Sequence, residues 1–230
     1  MGEPEDADPG KVRSVIRGCG DSGPAVLAHE EIWRELPAGA GHEPAVHDRV
    51  LRALEGKAAG RILDVGSGDG TFAARLAAQG AQVTGLDPAP TALARAQAAH
   101  PDIRFVAPGA GGGLPFPDAS FDVLTCVNVL QHVADTQSLL SEAWRVLTPH
   151  GLLAVAVPFH GRLRNLLVAL SSFERHHDPL EPVLRFYTAT SLRAVLTDLG
   201  FEQVEVTARG GAPLLRETLI ALGRRAGIGT

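Results

Sequence analysis

Cysteine is scarce in this chain: only Cys19 and Cys126 occur in 230 residues, too few for a disulfide scaffold and spaced like neither a zinc pair nor a redox pair. A reducing, cytoplasmic setting is therefore expected. Basic residues are also in short supply, 21 against 26 acidic ones. The net charge of −5 argues against a general affinity for nucleic-acid phosphates or an anionic membrane surface. No run of about 18 apolar residues is present, so no membrane span is expected. The start, MGEPEDADPG, is acidic where a secretory signal needs a basic start and an apolar stretch, and Asp6 stands where a myristoylation site needs Ser or Thr. What the chain does have is 45% hydrophobic residues, enough for a sizeable core, at a length that suits one domain rather than two.

Residues 1–24 read as a flexible acidic tail. Glu3, Glu5, Asp6 and Asp8 account for most of the net charge and leave the remainder nearly neutral. Residues 25–230 form the single expected domain, with an N-terminal helical segment (25–56) and a less regular insertion (159–190). Two helix-compatible stretches, Ala25–Leu36 and Glu43–Leu54, come first. From residue 61 short apolar runs alternate with Ala-rich amphipathic segments, the pattern of a βαβα unit. Strands are predicted at Arg61–Val65, Gln82–Leu86, Ile103–Val106, Phe121–Val127, Leu152–Val157, Phe201–Thr207 and Glu217–Leu222. Helices are predicted at Gly70–Gln79, Thr91–Ala99, Thr136–Leu147, Gly161–Ser171 and Leu192–Leu199. The strands lack in/out alternation, as a parallel sheet covered on both faces requires. The fold class is thus α/β, with a mostly parallel sheet and helices on both faces.

The strand RILDV runs into Gly66-Ser67-Gly68-Asp69-Gly70 and then a helix. Glycines let a ligand approach the backbone, and amide donors gather near a helix N-terminus. The spacing is GxGxG with Thr71 next, which weakens a dinucleotide fingerprint. Asp87 ends the second strand about 20 residues later, where a carboxylate accepts hydrogen bonds from ribose hydroxyls. Together they imply a ligand containing a nucleoside.

At these residues the chain resembles a known family. LDVGSGDG (Leu63–Gly70), VTGLDPAP (Val83–Pro90), LPFPDASFDVLTCVNVLQHV (Leu114–Val133) and RVLTPHGLLAVAVP (Arg145–Pro158) look like successive motifs of class I S-adenosylmethionine-dependent methyltransferases. Within that family the likeness is to the branch containing quinone-biosynthesis and natural-product enzymes. The resemblance implies a Rossmann-like seven-stranded sheet with its last strand antiparallel, and S-adenosyl-L-methionine as cofactor. It also implies that Gly66, Ser67 and Gly68 face the methionine part, Asp87 the ribose diol and Pro88 the adenine. Asp64 would orient the turn and reach the cofactor's ammonium through water, while Val127 and Asn128 offer it backbone carbonyls. Family members usually carry an acidic residue for the adenine amino group where this chain has Ala110; a backbone amide of Ala110 or Gly111 remains available to the ring.

The resemblance implies methyl transfer to a small-molecule acceptor, with O-methylation expected and nitrogen or carbon as the other options. Because the cofactor carries the activation, the protein mainly positions the acceptor and, for an acidic group, removes a proton. His132, after the fourth strand, and His160, after the fifth, are the catalytic candidates; a structural role is open for each. The resemblance implies that the N-terminal helical segment (25–56) is a lid over the cofactor, with Trp33 and His29 as its candidates, and that the 159–190 insertion is on the substrate side. Trp33, Arg162 and Tyr187 are the candidate pocket residues, although Arg162 also suits an exposed helix face and Tyr187 also suits anchoring the insertion to the core. His176, His177 and Asp178 read as a solvated loop, and no metal is expected. The alternatives are a cofactor-binding protein without turnover and a nicotinamide-dependent oxidoreductase. The expected state is a monomer or homodimer.

Overall fold

A computed structural model describes residues 24–37, 43–57, 59–109, 113–159, 184–211 and 216–227. Two helices, α1 (Pro24–Glu35) and α2 (Pro44–Leu54), precede β1 (Arg61–Val65), α3 (Thr71–Ala77), β2 (Gln82–Leu86), α4 (Pro90–Ala99) and β3 (Arg104–Val106). Then come β4 (Phe121–Val127), a 3-10 turn at Leu130–His132, α5 (Thr136–Val146), β5 (Leu147–Pro158), α6 (Ala189–Asp198), β6 (Phe201–Arg209) and β7 (Thr218–Arg225). Proline opens α2 and α4, where a missing amide hydrogen costs nothing. Asp135 caps α5 by accepting the Ser138 amide, and Thr188 and Ser191 cap α6 reciprocally.

The strands form one sheet in the order β3-β2-β1-β4-β5-β7-β6. β1 to β5 pair in parallel, and β7 runs antiparallel to both β5 and β6. Both faces are covered, so successive residues of a strand enter two different apolar cores. On β5, Leu152, Ala154 and Ala156 join the core beneath α2 and α3, while Leu153, Val155 and Val157 join the core containing α5 and α6 residues. β7 alternates the same way, with Leu219 and Ala221 on one side and Ile220 and Leu222 on the other. That double burial is why the strands read as continuous apolar runs.

Some boundaries differ from the sequence reading. β5 begins at Leu147, directly at the end of α5, because Leu147 pairs with Phe121 before the register moves to Leu152–Val123. Thr148–Gly151 therefore bulges, with His150 at φ 64°. β7 extends to Arg225, since its antiparallel partners continue to Leu152 and Phe201. β6 carries its own irregularity between Glu202 and Glu205, where Gln203 has φ 51°. The expected tail (except for Pro24), the Gly161–Ser171 helix and most of the 159–190 insertion lie outside the described residues.

Candidate active site

The order of the sheet reverses between β1 and β4, and in open α/β sheets ligands bind beyond the carboxyl ends of the strands at such a point. On the β1 side, the turn after Val65 is pinned to β2: the Gly66 and Ser67 amides both donate to the Leu86 carbonyl, at 2.7 and 3.0 Å. Gly66 (φ 73°) and Gly68 (φ 53°) occupy the left-handed region. A Cβ on Gly66 would lie 2.1 Å from Val129 Cγ2, and one on Gly68 would lie 2.7 Å from the Trp33 ring. The turn thus faces two side chains brought from outside the β1–β2 unit, one after β4 and one on α1.

Asp87, at the end of β2, is 4% exposed. One carboxylate oxygen accepts the Gly68 amide at 3.0 Å and the other the Ala89 amide at 2.9 Å, so this side chain joins the β1 and β2 turns. Asp64 lies under the same turn and is 2% exposed. Its Oδ1 accepts the Thr125 hydroxyl at 2.7 Å, while Oδ2 is buried without a hydrogen-bond partner. Burial pushes the Asp64 carboxyl up to about 7; the Thr125 bond opposes this and the nearby Asp87 charge adds to it. Ser67 Oγ and Gln131 Oε1 are also buried without partners. Such orphaned polar atoms mark a place where a polar ligand can complete the hydrogen bonding.

Helix α1 and the residue after it contact α4 at Thr91 and Arg95 and the glycine turn at Gly68. The Glu30 carboxylate accepts the Thr91 amide (3.0 Å) and hydroxyl (2.6 Å) at the start of α4, and Arg34 Nε donates to it at 3.0 Å. Burial works to raise the Glu30 carboxyl, but the bonds from Thr91 and Arg34 outweigh it and hold the group below its ordinary value. Arg95 of α4 donates to the Leu36 carbonyl at 2.8 Å, and Trp33 rests on Gly68.

Across the sheet reversal lies a cavity of about 430 Å³. It is bounded by the first half of α2 (Pro44–Val46 and Arg49, with Glu43 before it), the ends of β4 and β5 (Asn128, Pro158) and the start of β7 (Glu217, Thr218). Asn128 adopts φ 56°, donates its amide to Ala156 and lines the cavity, while the next residue, Val129, lies against Gly66, so this turn has the glycine loop on one side and the cavity on the other. Arg49 donates to the Thr218 hydroxyl at 3.1 Å and to Glu217 at 3.3 Å.

The sequence candidates separate into groups. Asp64, Gly66, Ser67, Gly68, Asp87 and Pro88 gather at the ends of β1 and β2, with Val127 and Asn128 at the end of β4. Trp33 lies on the glycine turn rather than in the cavity. Tyr187 is buried in the core, with its hydroxyl against Thr136 (3.2 Å) and the Leu130 carbonyl (3.4 Å), and does not line the cavity. His132 is half-buried on the 3-10 turn and does not line the cavity. Ala110, Gly111, His160 and Arg162, like His176, His177 and Asp178, lie outside the described residues. Among the described residues no three His, Cys, Asp or Glu side chains form a metal cluster, and no helix is long and apolar enough to cross a membrane. Sequence reasoning missed Arg49, Glu217 and Thr218. Arg49 did carry a signal, a charge beside Val46 and Val50 on the apolar stripe of α2.

A family profile described as a methyltransferase domain matches residues 63–155. A probable S-adenosylmethionine-dependent methyltransferase of Mycolicibacterium smegmatis is 32% identical over 207 residues, covering 88% of this chain and 70% of the relative. A ubiquinone biosynthesis O-methyltransferase of Azorhizobium caulinodans is 33% identical over 191 residues, covering 76% of this chain and 71% of the relative. Among solved structures, phosphoethanolamine N-methyltransferase 2 of Haemonchus contortus in complex with S-adenosyl-L-methionine superimposes with TM-score 0.64. That match covers 94% of this chain and 60% of the other; at 16% identity it speaks to the fold alone.

Proposed function

The chain belongs to the class I S-adenosylmethionine-dependent methyltransferases, and we propose that within this family it methylates oxygen on a small-molecule acceptor. It is an enzyme, and S-adenosyl-L-methionine is its cofactor. The residues at the ends of β1 and β2 fit that cofactor: a turn without Cβ atoms at Gly66 and Gly68, and buried oxygens of Asp64 and Ser67 that lack partners. When bound, the cofactor supplies a methyl group on a sulfonium, an electrophile that needs only a positioned acceptor.

We assign Gly66, Ser67 and Gly68 to the amino-acid end, Asp87 to the ribose hydroxyls and Pro88 to the adenine side. The Val127 and Asn128 carbonyls face the ammonium, with the Asp64 carboxylate as its charge partner. Ala110 and Gly111 offer backbone amides to the adenine, and Trp33 covers the turn as part of the lid formed by residues 25–56. The cavity beyond Asn128 takes the acceptor; its size suits a small molecule. The observation that carries this reading is that the Asn128–Val129 turn meets the glycine turn through Val129 and the cavity through Asn128. The ubiquinone-biosynthesis relative supports oxygen as the methylated atom. His132, on the turn after Asn128 and outside the cavity lining, is the base we propose for an acceptor whose acidic group extends from the cavity past that turn. A kcat that falls in His132→Ala while cofactor binding is kept supports that role, and an unchanged kcat removes it.

Titration calorimetry with the demethylated cofactor is expected to show binding that Asp87→Asn weakens by about tenfold or more, the value of a hydrogen bond to a charged group. Label from tritiated methyl donor is expected to pass into the small-molecule fraction of a cell extract. Binding without transfer to any fraction would favour a protein without turnover, and transfer only to macromolecules would remove the small-molecule reading.

A further inference from the structure

Arg49 is held unevenly. Its guanidinium lies against the backbone of Gly210, where a Cβ would fall 2.4 Å from Cζ, and it donates at 3.1 Å to Thr218, itself 2% exposed. Its contact with Glu217 is longer, 3.3 Å, through one nitrogen, and the Glu217 side chain is 47% exposed against 20% for Arg49. The Glu217 backbone is fixed: its carbonyl accepts the Phe159 amide and its amide donates to Arg209. The cation is therefore seated in the wall, while its carboxylate partner approaches from solvent and can swing away. An ion pair this exposed and this long exchanges easily, whereas a bound anion meeting the guanidinium fork forms short, charge-assisted bonds. Glu217 occupies the place that a ligand's negative oxygen would take.

We propose that Arg49 anchors an anionic oxygen of the methyl acceptor, a carboxylate or an acidic hydroxyl, and that Glu217 is the group this oxygen displaces. The proposal rests on reading the cavity as the acceptor pocket. It narrows the acceptor class to organic acids and ionisable phenols or enols. Glu217 then acts as a selectivity gate, since a neutral molecule gains too little from Arg49 to replace it, while an anion substitutes charge for charge.

The test uses the full chain saturated with the demethylated cofactor. Ligand-observed NMR titrations compare benzoate with benzamide, and 4-nitrophenolate with nitrobenzene. In the wild type at least one anion is expected to bind about tenfold more tightly than its neutral partner, the margin of one charge-assisted bond. The pair that shows this separates a carboxylate acceptor from a phenolic one. Arg49→Gln is expected to abolish the preference and Arg49→Lys to keep part of it. Glu217→Gln is expected to tighten the anion severalfold and leave the neutral probe unchanged. Anions that bind no better than neutral probes, a preference that survives in Arg49→Gln, or anion binding that weakens in Glu217→Gln would each overturn the proposal. If the wild type does not bind the demethylated cofactor at all, the assignment of the neighbouring cofactor site fails instead.

Discussion

At the scale of single residues, Asp64 links the buried site to solution pH. Its carboxyl is raised from 3.8 to about 7, mainly by burial. In the unfolded chain the proton leaves near the ordinary value, while the folded protein holds it up to about 7; stability attributable to this group is therefore present at low pH and declines as pH rises between those values. The paired carboxylates of Glu30, Asp122 and Glu142 are lowered, so their contribution is lost only in more acidic solution. Melting curves of the cofactor-free protein at about pH 5 and about pH 8 should differ more for the wild type than for Asp64→Asn, whose uncharged amide removes this term. If the cofactor's ammonium faces Asp64, binding also favours the ionised carboxylate. Calorimetry near pH 6.5 in buffers of different ionisation enthalpy should then show release of up to about three-quarters of a proton, absent from Asp64→Asn. Equal proton release by both proteins would place the ammonium elsewhere.

Among the elements, α1 makes one contact that replaces something α4 lacks. Ala89, the residue before α4, makes no side-chain cap; Glu30 of α1 fills that role by accepting both Thr91 donors. Breaking this latch loosens the cover over the glycine turn while leaving the sheet intact. Glu30→Ala should cost about 1 kcal/mol of local stability, typical for a lost cap. Hydrogen exchange should quicken in residues 24–36 and not in β1, β4 or β5, and the demethylated cofactor should leave faster. Uniform acceleration across the sheet would show instead that α1 supports the whole fold. The sequence allowed α1 and α2 to be read as helices, and the strands through β4 to be placed closely, because each is a local pattern of apolar residues. It did not reveal the latch, because Glu30 and Thr91 are 61 positions apart and only the packing of α1 on α4 joins them.

The same distinction between local and distant information holds for the whole molecule. The proposed cofactor half of the site was legible because Gly66, Gly68 and Asp87 lie just after two consecutive strands, and a short stretch of chain records their geometry. The cavity half was not, since Arg49 meets Glu217 and Thr218 across 168 and 169 positions, through the pairing of β7 with β5. That pairing has a consequence in time. Because β7 lies between β5 and β6, β6 can join the sheet only after a strand later in the chain has taken its place. β1 to β5 meet no such condition, and long-range closures of this kind are slow relative to local ones. Pulse-labelling during refolding should find β1 and β4 amides protected no later than those of β7, and β6 never before β7. Early protection of β6 would contradict this order. If it holds, a chain emerging from the ribosome completes the proposed seat of its methyl donor well before the cavity proposed for the acceptor.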